Sequence, residues 1–278
     1  MMISDNNQLH ESCGVVGVYS PGEDVARIAF YALFALQHRG QESAGIAVTD
    51  GGSIRSHVSM GLVAQAFHEE NLLSLTGNSA IGHTRYSTTG SNRPENCQPF
   101  IVEGVNGELA LGHNGNVINA KELRERLTTW GCEFRTSTDS EVIAYLLANA
   151  PGNSWEDRAF YCMGNLEGAY SLTILTHDSL LAIRDPLGVR PLCIGSLGDG
   201  WVVASESCAL DHVGAQYIRD VEPGEIVRID KEGLHASQWH GVERHALCIF
   251  EHIYFSRPDS LLRGHLTYTI RQRMGAQL

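Results

Sequence analysis

The run YSLTILTHDSLLAIRDPLGVRPLCIGSLGDGWVVAS (170–205) decides the fold class. Four short β-rich segments, at 170–176, 180–184, 192–195 and 201–205, are split by turn residues. Segments of this length and spacing read as hairpin partners. The pattern continues at 218–221 and 226–229, with Pro223-Gly224 between them and 230–233 as the next turn. A regular β-helix-β alternation is missing, which disfavours a doubly wound parallel sheet. The reading is an α+β domain with antiparallel sheets and helices outside.

Towards the N-terminus, CGVVGVY (13–19) reads as a buried strand. Residues 25–36 are apolar nearly all round and predict a buried helix that stops near Gly40. Strands are expected at 45–48 and 54–58, with Asp50-Gly51-Gly52 as their turn. Three further helices are signalled by their starts. Asn119 with Glu122 resembles a capping box, with Leu123, Leu127 and Trp130 on one face and Gly131 after the end. Residues 140–150 carry Ile143, Leu146, Leu147 and Ala150 at helical spacing and stop at Pro151. Ser154 with Asp157 caps the third. Beyond Arg257-Pro258-Asp259 a new segment begins, and HLTYTIRQRMGAQL (265–278) reads as the start of a helix.

With 43% hydrophobic and 19% charged residues, the 278-residue chain has the composition of a globular domain with a sizeable core. The net charge of -12, without a basic stripe, argues against a nucleic-acid partner. Seven cysteines, odd in number and widely spaced without C-x-x-C, argue against a disulfide framework and a zinc site. The polar first twelve residues lack the features of a secretory signal. The longest apolar tract, 25–36, is too short to span a bilayer. A cytoplasmic protein with no membrane contact is the expectation. The histidines nearest to motifs are His38, His83 and His113. No HExxH spacing occurs, so no metal is expected, and these three read as supporting or packing residues.

Taken alone, Cys13 is a small residue beside a buried strand. HNGN, taken alone, is a glycine-rich turn after a strand at 109–111. Asp139 reads as an N-cap of the helix 140–150, Arg39 as a helix-end cation, and Asp185-Pro186-Leu187-Gly188 as a tight scaffold turn. The motifs gain meaning together. QHRGQESAGI (37–46), GHTRYSTTG (82–90), GHNGN (112–116), STDSE (137–141) and RDPLGVRPL (184–192), in this order after a near-N-terminal Cys-Gly, resemble the class II glutamine amidotransferases. CIFEHIYFSRPDS (248–260) narrows the resemblance to the amidophosphoribosyltransferases.

The resemblance implies an N-terminal-nucleophile hydrolase fold, a four-layer αββα sandwich. It implies a propeptide over 1–12, the amidotransferase domain over 13–245, and over 246–278 the start of a linker to a phosphoribosyltransferase domain not contained in this sequence. The chain is then expected to be a fragment or the front part of a truncated product. The implied chemistry is hydrolysis of glutamine to glutamate and ammonia. The ammonia serves phosphoribosyl diphosphate, giving phosphoribosylamine in purine synthesis. The implied catalytic residues are Cys13 as nucleophile, Asn114 and Gly115 as oxyanion hole, and Arg39 as support of the nucleophile. The implied substrate residues are Arg85 for the α-carboxylate, Asp139 for the α-ammonium, and Tyr86 and Thr88 in a loop that closes over glutamine.

The freed α-amine of Cys13 would be the base, because an α-amine titrates near working pH, at about 7.7–8.0. While Ser12 is attached that nitrogen is an amide without basicity. No cofactor is expected in this chain, and Mg2+ only with the transferase domain. Cys248 matches a position that some relatives use for an iron–sulfur cluster, but four thiolates are needed, so a buried thiol is the expectation. The partners are glutamine, phosphoribosyl diphosphate through the other domain, and further copies in a homo-oligomer at full length. Two alternatives stand beside this reading: the glutaminase half of another synthase, such as glucosamine-6-phosphate synthase, and an unprocessed, inactive glutamine-binding module.

Overall fold

The computed structural model describes residues 12–86, 93–239 and 245–278. Its N-terminal half contains β1 (Gly14–Tyr19), α1 (Val25–Ala35), β2 (Ser43–Thr49), β3 (Arg55–Met60), α2 (Val63–Ala66), α3 (Glu69–Ser74) and β4 (Ser79–Arg85). Then come β5 (Phe100–Gly104), β6 (Gly107–Val117), α4 (Ala120–Thr129), α5 (Asp139–Ala148) and α6 (Trp155–Met163). The strands β7 (Gly168–Leu175), β8 (Leu180–Arg184), β9 (Cys193–Leu197) and β10 (Gly200–Ala204) follow, then α7 (Ser207–His212). The chain continues through β11 (Gln216–Asp220), β12 (Glu225–Asp230), β13 (Gly233–Gln238), β14 (Leu261–Leu262), β15 (His265–Leu266) and α8 (Thr267–Gln277).

Two sheets carry the domain. One has seven strands in the order β11-β9-β10-β1-β4-β2-β3; the other has six, β13-β12-β8-β7-β6-β5. Among the described residues the ladders within both sheets are antiparallel. The pleat sorts the side chains. On β1, Val16 and Val18 join Leu33, Leu36, Ile46 and Leu210 beneath α1 and α7. Val15 points the other way, to Ile81, Ala110, Leu175, Leu180 and Val227 between the sheets. On β6, Leu109 and Leu111 face α4 and α5, where they pack with Leu127, Ile143, Leu146 and Leu147. The order of layers is thus helix, sheet, sheet, helix. Each fully buried Leu or Ile contributes about 1.5–3 kcal/mol relative to exposure, so all three cores matter.

The sequence reading holds for the sheets and differs in several details. HNGN is not a turn: Asn114 and Gly115 lie inside β6, paired with Ser171 and Tyr170. Asn119 precedes α4 without a side-chain cap. Its amide instead donates to the Asn165 carbonyl and accepts from Glu167 N–H, tying α4 to β7. Trp130 leaves the buried face and is 47% exposed, with Arg126 stacked on it. The cap of α5 is Thr138, which accepts from Glu141 N–H, so Asp139 is the first helical residue and its side chain is free for other work. Ser154 and Asp157 do form a reciprocal capping box on α6. The scaffold reading of Asp185 is also borne out, as its carboxylate accepts from the N–H groups of Tyr170, Leu187 and Val189.

Gly45, in the middle of β2, fixes how the segment before β5 passes over the sheet. A Cβ there would stand 2.2 Å from the Gln98 carbonyl oxygen and 2.5 Å from Val58. Gly45→Ala is expected to destabilise the fold by about 1–3 kcal/mol through overpacking. A denaturant midpoint equal to that of the unaltered protein would refute this account of the close approach.

Candidate active site

Cys13 sits at the mouth of β1, where the sulfur is held by the backbone of Tyr86. The Tyr86 N–H donates to Sγ at 3.4 Å, and Sγ lies 3.4 Å from the Tyr86 carbonyl. Burial raises the thiol pKa, opposed by the Tyr86 backbone bond and the nearby charges of Arg85 and Arg39. Ser12 is still attached, so the Cys13 nitrogen is an amide, and the Ser12 hydroxyl donates to Asn114 Oδ1 at 2.9 Å. Asn114 Nδ2 is buried and has no partner among the described residues. An unpaired buried N–H is costly, and it marks Asn114 as a donor awaiting an acceptor.

One narrow cleft is lined by Cys13, Arg85, Tyr86, Gly115 and Asp139, together with Gln98, His113, Thr138 and Ser140. The structure therefore gathers five of the residues singled out from sequence. Gly115 is needed for a close approach, since a Cβ would lie 2.0 Å from the Ala169 carbonyl oxygen. Asp139 is oriented by Val117 N–H, which donates to Oδ2 at 2.8 Å. Arg85, at the end of β4, is buried and lies 3.4 Å from Glu42. Thr88 lies outside the described residues, as do residues 1–11 of the leader.

Arg39 is more than a helix-end cation. Its Nε donates to the Cys13 carbonyl at 3.1 Å. One terminal nitrogen reaches Glu206 at 2.5 Å, and both reach Glu251 at 3.0 and 3.1 Å. Glu206 also accepts from His38, from the Ser260 hydroxyl and from Arg257 N–H. Glu251 accepts from Ser256, with Arg190 nearby. Neither glutamate was assigned a role from sequence, although Glu251 lies within the CIFEHIYFSRPDS motif. Gln98 and Ser140 likewise have no site role in the sequence reading, and His113 figures there as a supporting or packing residue. Ser140 follows Asp139 within STDSE, so the motif did contain the signal.

Outside the cleft, Asp230, Glu232 and His235 on the β12–β13 hairpin stand close enough to share a cation. Arg228 already pairs with Asp230 there. Cys248 is half-buried and free, and its N–H donates to the Val189 carbonyl. No helix among the described residues is long and apolar enough to cross a membrane.

A glutamine amidotransferase domain profile matches residues 83–212. The amidophosphoribosyltransferase of Synechococcus elongatus is 49% identical over 274 residues, covering 96% of this chain and 56% of that protein. That of Bacillus subtilis is 42% identical over 278 residues, covering all of this chain and 58% of that protein. The solved glutamine phosphoribosylpyrophosphate amidotransferase from B. subtilis, complexed with ADP and GMP, superposes with a TM-score of 0.88 at 42% identity, over 95% of this chain and 57% of that one. Over nearly its whole length the chain is thus similar to the glutamine amidotransferase part of the amidophosphoribosyltransferases. It spans about half the length of the curated relatives it matches.

The charge balance around Arg39 has consequences for stability. Burial alone would push the Glu206 carboxyl up, but Arg39, His38 and Ser260 more than offset it and hold it at about 2. The folded value lies below the ordinary 4.5. The stabilisation is therefore complete above about pH 4.5 and is lost as the pH falls towards 2. Unfolding free energies measured across that window should decline with acid, and Glu206→Gln should flatten the decline. Arg39→Met strands two buried carboxylates and should cost about 3–5 kcal/mol at neutral pH. An Arg39→Met protein as stable as the parent would show that the cluster is not held by charge.

Proposed function

We propose that the chain, once residues 1–12 are removed, hydrolyses glutamine to glutamate and ammonia at Cys13. The observation that carries this reading is the single cleft in which the Cys13 sulfur, Arg85, Gly115 and Asp139 meet, with the Asn114 Nδ2, unpaired among the described residues, alongside. The freed α-amine takes the thiol proton, and the thiolate attacks the side-chain carboxamide carbon. Asn114 Nδ2 and the Gly115 N–H receive the oxyanion. Collapse breaks the C–N bond, and the amine returns its proton to the leaving ammonia. Water then cleaves the thioester, releasing glutamate and the thiol. Arg85 clamps the α-carboxylate and Asp139 the α-ammonium. Arg39 holds the Cys13 carbonyl and so the direction of the nucleophile.

Removal of the leader is proposed to be self-catalysed: the thiol attacks the Ser12 carbonyl, the Ser12–Cys13 C–N bond breaks to free the α-amine, and water cleaves the resulting thioester to release the leader as a carboxylate and restore the thiol. The ammonia is destined for phosphoribosyl diphosphate at a second domain, in the first committed step of purine synthesis. Names of relatives at 42–49% identity support that destination. A cytoplasmic, homo-oligomeric enzyme acting without nucleic acid is part of the same proposal.

The intact mass of the active protein should correspond to a chain beginning at Cys13. Active protein that still begins Met-Met-Ile would rule out the α-amine as base. Cys13→Ala should abolish ammonia release while the fold stays intact. Asn114→Ala should lower kcat by roughly 10²–10³, as for other single oxyanion donors. Arg85→Lys should mainly raise KM, because the bidentate contact is made in ground and transition states alike. The opposite pattern in steady-state kinetics would reverse the two assignments.

A further inference from the structure

A closed loop of hydrogen bonds begins and ends on His113. Its backbone N–H donates to Gln98 Oε1 at 2.9 Å. Gln98 Nε2 donates to Ser140 Oγ at 3.1 Å. Ser140 Oγ lies 3.0 Å from His113 Nδ1. A backbone N–H can only donate, so the Gln98 atom facing it is the oxygen, and the atom facing Ser140 is the amide nitrogen. Ser140 thus accepts from Gln98, and because its hydroxyl reaches no other acceptor among the described residues, its single proton is directed to His113 Nδ1. An Nδ1 that accepts leaves the ring proton on Nε2, which faces the Ala169 carbonyl without closing a well-shaped hydrogen bond. Glycine at 115 leaves room for that, since a Cβ there would stand 2.8 Å from Nε2.

The neighbour that makes the proton's position matter is Asp139, whose Oδ1 lies 3.9 Å from His113 Nδ1. A proton on Nδ1 would turn His113 into a partner for that carboxylate. We propose that Gln98 and Ser140 are positioning residues that hold His113 as its neutral Nε2–H tautomer, so that Asp139 keeps its full charge for the α-ammonium of the substrate. This rests on the assignment of Asp139 made above. The groups facing the ring are Asp139 and Ser140 from α5, Arg190 from the loop between β8 and β9, and His83 from β4. Burial holds His113 below the ordinary histidine range against the pull of Asp139, and Arg190 adds to this. Burial likewise pushes His83 down to about 3, so it brings no charge to the site. Its Nε2–H donates to the His113 carbonyl and fixes the strand from the other side.

Gln98→Glu tests the direction of the loop with little change of shape. A carboxylate accepts from both His113 N–H and Ser140, which leaves Ser140 to accept from Nδ1–H and reverses the proton order. Ring 15N–1H correlation spectra of the processed protein, assigned through the His113 backbone, should give the Nε2–H form in the parent and Nδ1–H or a charged ring in Gln98→Glu. Ser140→Ala, which removes the relay, should raise KM for glutamine about tenfold with kcat changed much less, as expected for lost ground-state binding. It should also give kcat/KM a new acid limb. The inhibition constant of 4-carbamoylbutanoate, which is glutamine without its ammonium, should stay the same. An Nδ1–H or charged His113 in the parent overturns the proposal, as does a Ser140→Ala variant that weakens both ligands equally. A parent protein that releases no ammonia would count against the glutaminase reading, while the spectrum still decides the proton's place.

Discussion

A guanidinium sealed from water must have its charge matched by neighbours, because the desolvation cost of an isolated buried cation is several kcal/mol. Arg39 is such a group: its side chain is fully buried, as are those of Glu206 and Glu251. Its partners come from the start of α7 and from the segment before β14, and its remaining N–H holds the carbonyl of Cys13. The Cys13 backbone, the turn after α1, and the C-terminal segment are therefore one electrostatic unit. His38 and Arg190 sit at its edges and help to balance two carboxylates against one guanidinium.

Much of the cleft is set by the two sheets, which suits a site whose tolerances are tight. Asn114 and Gly115 are set by the register of β6 against β7. Arg85 is set by the end of β4, and Cys13 by the entry to β1, which pairs with β4 at Gly14–Thr84. Asp139 and Ser140 come from the start of α5, where Thr138 does the capping that leaves the Asp139 carboxylate turned inward. The close approach at Gly45 carries the backbone of Gln98 across β2, and its side chain then reaches β6 and α5.

Short β-rich runs split by turn residues made the sheets legible, because both the strand and the turn that ends it are written in local residues. The helices were legible from their caps where the cap is local, as at Ser154. They were misread where tertiary needs took over: Asn119 spends its amide on the segment between α6 and β7, and Trp130 is left half in solvent. HNGN looked like a turn because glycine is usually punctuation, whereas here it is required by the Ala169 carbonyl. Cys13, Arg85, Asn114 and Asp139 could be picked out only from the order of the motifs as a set. Glu206 and Glu251 stood beyond reach, since they are 167 and 212 residues from the arginine they neutralise. Nothing in local spacing marks such a pair.

Glu251 belongs to the stretch that follows the last long strand of the sandwich, yet it completes the interior of that sandwich. A gene-fusion breakpoint placed between residues 245 and 246 would pass through a tidy gap in secondary structure and still strand Arg39 without its bidentate partner. A fusion keeps Arg39 paired when residues 246–260 travel with the preceding sandwich, or when the new partner supplies a carboxylate at that depth. The inheritable module is thus longer than the fold it encloses.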